Sequence, residues 1–325
     1  MRTFIYAEHI FRELIMIFLN VKEEMKSLMA MQLKHDGYNN INTDEVMEQY
    51  FNACLRKITP KPRKIEKSKE FVCPAGFEKK LQYFESVVLK GEDVKPFMTT
   101  KMLNASYKDK MLSDWGLYHF HLADSPYTKD DRFMDRSDQL LIAYIDLNDD
   151  GTIYFIQIVP HKKINLWTTQ DFIRCLADNW PQMMERYRIP GMAELDTKID
   201  DKAYAELRGA NINTMVDLGD GRVYCGSNFG LTGAGYSLRT QLRVNSLHNN
   251  AKLVEKIIIE KNGEITAKIN ECASKPLKDV TLHLQAFRNA DYFFEISEEP
   301  SVTLLVHLFH TVKGYDIRYT VCEFC

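Results

Sequence analysis

Two periodicities of apolar residues divide this chain. Over 4–33 and 43–55 apolar positions recur every three or four residues, which predicts two amphipathic helices. The same spacing over 74–88 and 94–103 predicts a second helical pair. The first pair forms an N-terminal helical hairpin or bundle that ends near residue 58.

A period of two begins at Leu117 and indicates β-structure. The segments 117–122, 140–146 and 153–159 are rich in β-branched and aromatic residues, and the turn sequence Asn148-Asp-Asp-Gly151 separates the last two. The pattern predicts a three-stranded antiparallel meander. Helical spacing then returns over 168–186.

The last third of the chain alternates apolar and polar residues and is predicted to be mostly β. The turn sequences Asp217-Leu-Gly-Asp-Gly221 and Asn262-Gly263 predict hairpins over 213–223 and 257–269. Further strands are predicted over 280–287, 292–296, 302–309 and 315–321.

These elements predict an α+β protein with an N-terminal helical unit (1–58), a central helix-helix-meander domain (73–190) and a β-rich C-terminal domain (207–325). Residues 59–72 join the first two units. This segment is rich in Lys and Arg and contains two prolines, Pro60 and Pro62, which indicates a basic linker.

Composition fits an ordered globular protein, since 45% of the 325 residues are hydrophobic and 27% are charged. The net charge of −3 provides no general attraction to nucleic acid or to anionic lipid. The apolar stretch over 10–21 is too short to cross a bilayer, and seven scattered cysteines favour reduced thiols. We therefore expect a cytoplasmic protein without a membrane partner.

Histidines mark the predicted meander as the place for chemistry. Alternation along the first strand places His119 and His121 on the same face, about 7 Å apart. His161 directly follows the third strand, and Arg136 precedes the second. Imidazoles beside fixed positive charge can supply the acid, base and charge stabilisation that phosphodiester cleavage requires.

The central segment resembles the RelE/ParE-type toxins, a compact fold of metal-independent ribonucleases and gyrase poisons. The resemblance covers residues 70–167 and consists of the two helices followed by "GLYHFHLAD" and "RSDQLLIAYIDLNDDGTIYFIQIVPHKK". In that family an Arg precedes the third strand and a His or basic cluster ends the fourth. Arg136, His161, Lys162 and Lys163 match those positions.

The resemblance implies a metal-independent endoribonuclease, an effector of a bacterial toxin-antitoxin or phage-defence system, with no cofactor. His119, His121, Arg136 and His161 are the predicted catalytic residues. Lys162, Lys163, Arg63 and Lys64 are the predicted substrate-binding residues. The expected partners are RNA, including ribosome-associated RNA, and an antitoxin or regulatory protein that restrains the histidine face.

Two alternatives from other classes stay open. His119 and His121, completed by His161 or Asp146, provide ligand types for a cupin-like metal site. The meander is otherwise a non-catalytic binding module, which buried and hydrogen-bonded histidines would favour.

Overall fold

The computed structural model describes residues 16–146, 151–312 and 314–323 and has an α+β fold. The α-helices are α1 (Val21–His35), α2 (Val46–Arg56), α3 (Glu78–Lys90), α4 (Lys110–Trp115), α5 (Asp171–Asn179), α6 (Pro181–Met184), α7 (Asp201–Gly209), α8 (Leu238–Glu260) and α9 (Asn262–Cys272). The strands are β1 (Ile17–Phe18), β2 (Lys64–Lys67), β3 (Leu117–His121), β4 (Gln139–Ile145), β5 (Thr152–Pro160), β6 (Val216–Asp217), β7 (Val223–Tyr224), β8 (Val280–Arg288), β9 (Asp291–Ile296), β10 (Val302–Thr311) and β11 (Gly314–Glu323).

The chain forms two compact units whose boundaries differ from the predicted domains. Residues 33–244 make up the central unit. Among the described residues, 16–32 and 245–323 belong to the terminal unit, so segments from both sides of the central unit share one unit instead of forming separate domains.

The central unit is built on a four-stranded sheet of order β2-β5-β4-β3. The predicted meander is confirmed, because β3 pairs antiparallel with β4 and β4 pairs antiparallel with β5. Its turn at 147–150 lies outside the described residues. Strand β2 adds to β5 in parallel, so residues 64–67 are an edge strand rather than the connector predicted for 59–72.

Both faces of this sheet are buried at β3. Leu117 packs in one core with Phe172 and Leu176 of α5. Tyr118 and Phe120 pack in the other core, with Phe84 of α3 among their neighbours. Burying each such side chain contributes about 1.5–3 kcal/mol, so the apolar residues of β3 hold the strand in this orientation. Because successive side chains of a strand alternate, His119 and His121 then point to the same face as Leu117.

Gly116 makes the sharp transition from α4 to β3. Its φ of +70° favours glycine, and a Cβ there would lie 2.3 Å from Ser227 Oγ. The same Ser227 hydroxyl donates a hydrogen bond of 2.7 Å to the carbonyl of Trp115. This close contact fixes the start of the strand that carries both histidines.

Two of the predicted helices are interrupted. The segment 94–103 is two 3-10 turns, Lys95–Phe97 and Thr100–Leu103, because the backbone is extended at Met98 and Thr99, where the Thr99 side chain caps the second turn. The predicted helix over 168–186 breaks at Trp180, where Pro181 starts the short helix α6.

The terminal unit contains a five-stranded sheet of order β1-β8-β9-β10-β11 together with α9 and the second half of α8. The hairpin predicted over 257–269 is wrong, because α8 and α9 occupy it. Residues 4–15 of the first predicted helix lie outside the described residues, and α1 begins only at Val21. No helix in the described ranges is long and apolar enough to cross a membrane.

Candidate functional site

A cleft of about 710 Å³ opens in the central unit where β3 ends. It is lined by parts of the loop before α4, the loop after β5, and α7. The lining residues are Thr99, Lys101, Tyr107, Lys108, Asp109, Lys110, Met111, His119, Arg136, His161, Lys163, Asn165, Leu166, Trp167, Thr168, Ala205, Arg208 and Gly209. Three of the four predicted catalytic residues therefore share one cavity.

His119 and Asp109 form an imidazole-carboxylate pair in this cleft. Asp109 is the N-cap of α4, where one carboxylate oxygen accepts a 3.0 Å hydrogen bond from the Leu112 amide. Its other oxygen lies 3.5 Å from His119 Nδ1. That distance is outside hydrogen-bond geometry, and Nδ1 has no hydrogen-bond partner in the described parts of the chain.

Burial lowers the pKa of His119, and the positive charges of Arg136 and His161 act in the same direction. The Asp109 carboxylate opposes them. With a side chain only 8% exposed, His119 is held neutral near pH 7. A proton on Nδ1 would face the Asp109 carboxylate, and in that tautomer the Nε2 lone pair could act as a base.

Trp167 connects the two cleft imidazoles. Its ring centroid lies 4.9 Å from that of His119 and 6.1 Å from that of His161, edge to face in both cases. The Trp167 carbonyl accepts a hydrogen bond from Arg208 Nη1. Because Arg208 is buried and ion-paired with Asp114 at 2.9 Å, its hydrogen bond holds the backbone of Trp167 in place.

The positive charge of the cleft exceeds its negative charge. Among the described residues that line the cleft, Asp109 is the one acidic residue, against six Lys and Arg residues. Three of the six are already bonded: Lys108 to the Ala234 carbonyl, Lys110 to the carbonyls of 208 and 209, and Arg208 to Asp114.

The other three cations are Lys101, Arg136 and Lys163. In the described ranges none has a carboxylate within salt-bridge distance, although Lys101 and Lys163 lie over the rings of Tyr107 and Phe172. Uncompensated cations around a concave site attract an anionic ligand. These three side chains therefore leave uncompensated positive charge in the cleft.

His121 lies behind the cleft instead of lining it. Its side chain is 2% exposed, its Nδ1 accepts a 3.3 Å hydrogen bond from the Ser137 amide, and its ring stacks on His161 with centroids 5.9 Å apart. Burial and the nearby positive charge of Arg136 lower its pKa to about 3. Neutral His121 therefore supports the His161 ring and the backbone directly after Arg136.

A buried arginine stabilises the loop that precedes Asp109. Arg56, at the end of α2, donates hydrogen bonds of 3.1 and 2.9 Å to the carbonyls of Asn104 and Tyr107. Asn52, one turn earlier, donates to the same Tyr107 carbonyl at 2.8 Å. Burial raises the pKa of the Tyr107 phenol, so this ring stays neutral at the cleft wall.

Three predicted substrate-binding residues lie elsewhere. Lys162 is exposed but is not part of the lining, whereas its neighbour Lys163 is. Arg63 is 6% exposed and donates to the carbonyls of Thr59 and Lys61, and Lys64 pairs with Glu66 at 2.6 Å. Lys64 belongs to β2, at the opposite edge of the sheet from β3.

The predicted metal alternative has no ligand set in the described residues, which contain no group of three or more His, Cys, Asp or Glu side chains arranged to hold an ion. Asp146, proposed to complete such a set, is buried and paired with Arg186 at 2.5 Å. It follows the β4 end that adjoins Leu117, whereas His121 pairs with Leu140 near the other end of β4.

Sequence reasoning missed Asp109, Trp167 and Asn165. Asp109 carried one usable signal, since Asp directly before a helix is a preferred N-cap. Trp167 and Asn165 come from an irregular loop, where periodicity gives no direction for a side chain.

Comparisons with protein-family models, with curated proteins and with solved structures found no match to this chain.

Proposed function

We propose that the central unit is a metal-independent endoribonuclease whose active site is the cleft around His119. The observation that carries this proposal is the joint presence of a neutral His119 beside Asp109, a second imidazole at His161, and the unpaired cations Lys101, Arg136 and Lys163. The resemblance of residues 70–167 to RelE/ParE-type toxins agrees with it.

His119 is the general base in the proposed reaction. Its Nε2 removes the proton from a ribose 2′-hydroxyl, and the resulting alkoxide attacks the adjacent phosphorus. The imidazolium formed is stabilised by the Asp109 carboxylate at 3.5 Å. A P–O bond to the 2′-oxygen forms as the bond to the 5′-oxygen breaks.

His161 is the general acid, since it lines the same cleft and contacts the same indole as His119. It donates a proton to the leaving 5′-oxygen, so the products are a 2′,3′-cyclic phosphate and a 5′-hydroxyl. Arg136 and Lys163 stabilise the charge that develops on the phosphorane oxygens. No residue outside the cleft is required.

The experiment is cleavage of total RNA by the purified full chain, with EDTA and separately with excess divalent metal. We expect cleavage that survives EDTA and is lost in His119→Ala and in His161→Ala. His310→Ala, at an exposed histidine of β10, is the matched control and should cleave normally.

Metal-dependent cleavage would contradict the acid-base mechanism. Failure of the folded wild-type chain to cleave any RNA would favour the other function open to the same cleft, binding of an anionic partner without catalysis.

A further inference from the structure

Trp167 presents an unusual surface for so large an apolar side chain. It is 39% exposed, yet its ring contacts two imidazoles and its carbonyl is held by Arg208. An exposed aromatic face that is fixed in place loses little conformational entropy on binding a planar ligand. In a cationic cleft, the planar group that accompanies phosphate is a nucleobase.

Asn165 adds a hydrogen-bonding group beside this indole. It lines the cleft, and its side-chain amide has no hydrogen-bond partner in the described residues. Its backbone adopts a φ of +51°, and its carbonyl accepts a 2.9 Å hydrogen bond from the Thr168 amide. The turn over 165–168 thus brings Asn165 and Trp167 to the same cleft.

A cation belongs to the same segment as Asn165 and Trp167, and a second one comes from the loop before β4. Lys163 lies two residues before Asn165, and Arg136 is a further unpaired cation of the lining. An amide can donate to and accept from the edge of a base while an indole stacks on its face. Cations, amide and indole together match the parts of one nucleotide.

We propose that Trp167 and Asn165 form a subsite for one unpaired nucleobase, so that the cleft accepts single-stranded RNA and rejects duplex. The position of this base next to the scissile phosphate rests on the proposed function. A duplex is excluded because its bases are stacked and its Watson–Crick edges are paired, so neither face nor edge reaches the subsite.

The test is direct binding of a 2′-O-methyl octanucleotide, which lacks the 2′-hydroxyl nucleophile and stays intact. An abasic strand of equal length and charge and the corresponding duplex are the comparison ligands. We expect the full chain to bind the octanucleotide about tenfold more tightly than the abasic strand, as one stacked base typically contributes. Binding should also quench tryptophan fluorescence.

Three variants separate the contributions. Trp167→Ala should remove the advantage over the abasic strand, and Trp167→Phe should keep part of it while preserving the packing. Asn165→Gly tolerates the positive φ without the amide and should reduce discrimination among homopolymers severalfold. Tyr83→Ala, at an exposed aromatic of α3 outside the cleft lining, is the control and should change nothing.

Equal affinity of the wild-type chain for octanucleotide and abasic strand would overturn the base subsite, whatever the cleavage assay gives. Tight binding of duplex would overturn it as well. Base-dependent binding without cleavage of ordinary RNA would retain the subsite and refute the nuclease.

Discussion

Histidines occur on strands in both units of this protein, in opposite environments. In the terminal unit His283 and His307 are exposed and lie 2.7 and 2.6 Å from Glu24 and Asp291. In the central unit His119 and His121 are buried beside Arg136. Solvent and carboxylates satisfy the first pair, whereas His119 Nδ1 and His121 Nε2 have no hydrogen-bond partner in the described parts of the chain.

Residue type and strand position therefore do not by themselves define a site. His307 has a shorter imidazole-carboxylate distance than His119, but its side chain is 48% exposed and does not line the cationic cleft. A base becomes useful where burial holds it neutral and neighbouring cations hold the anion that it acts on.

The largest expected difference is catalytic. His119→Ala removes the general base and should lower the rate of RNA cleavage by about a thousandfold, within the usual range for such a group. His307→Ala should leave the rate unchanged. The measurement is single-turnover cleavage of a labelled oligonucleotide, and equal losses in the two variants would remove the distinction between the units.

Removing the negative charge of the neighbouring carboxylate should lower the cleavage rate at His119 but not at His307. Asp109→Asn retains an oxygen for the N-cap of α4 but loses the charge facing His119, so we expect cleavage to fall roughly tenfold or more with little change in stability. Asp291→Asn is the matched change beside His307 and should have no effect on the rate. A stable Asp109→Asn chain with full activity would exclude the pair from the mechanism.

His121 should make the free energy of unfolding depend on pH in a way that the exposed histidines do not. Its folded pKa of about 3 lies below the ordinary value of 6.5, so at pH below 6.5 the unfolded chain binds the proton first. This histidine should therefore lower the free energy of unfolding by about 2 kcal/mol between pH 7 and pH 5. The loss continues as pH falls towards the folded pKa.

Urea unfolding at pH 7 and pH 5 measures this effect. His121→Asn, which keeps an acceptor for the Ser137 amide, should remove most of that pH dependence, and His307→Asn should not. Unchanged pH dependence in His121→Asn would show that other groups cause the acid destabilisation.

The smallest effect concerns the unpaired cations. Lys163→Gln should weaken RNA binding a fewfold and reduce its salt dependence, since one phosphate contact is lost. Arg63→Gln removes a cation whose guanidinium donates to backbone carbonyls, so it should affect stability rather than the salt slope. Titrations of the uncleavable octanucleotide at several salt concentrations separate the two.

Much of the site follows from strand periodicity. Alternation predicted which face His119 and His121 share, and strand order predicted that Arg136 and His161 would approach that face. Asp109 and Trp167 were not predictable in this way, because a cap and an irregular loop supply them. Lys64 was misjudged because a short basic segment gives no sign that it will add in parallel to a strand almost ninety residues later.

The long-helix error has a clear physical origin. Ile257-Ile-Ile259 and Asn262-Gly263 favour a strand and a turn locally. The buried positions Val244, Leu247, Ala251, Val254 and Ile258 nevertheless follow helical spacing. Packing of that continuous stripe outweighed the local propensities.

The most direct test of the central claim is the chemistry of the product ends. The wild-type chain in EDTA is given an RNA with one preferred cleavage position and the same RNA with a single 2′-deoxy nucleotide there, and the products are weighed by mass spectrometry. We predict a 2′,3′-cyclic phosphate and a 5′-hydroxyl from the first RNA and no cleavage at the deoxy position in the second. Cleavage at the deoxy position, or a 5′-phosphate product, would contradict attack by the 2′-oxygen and with it the proposed role of His119.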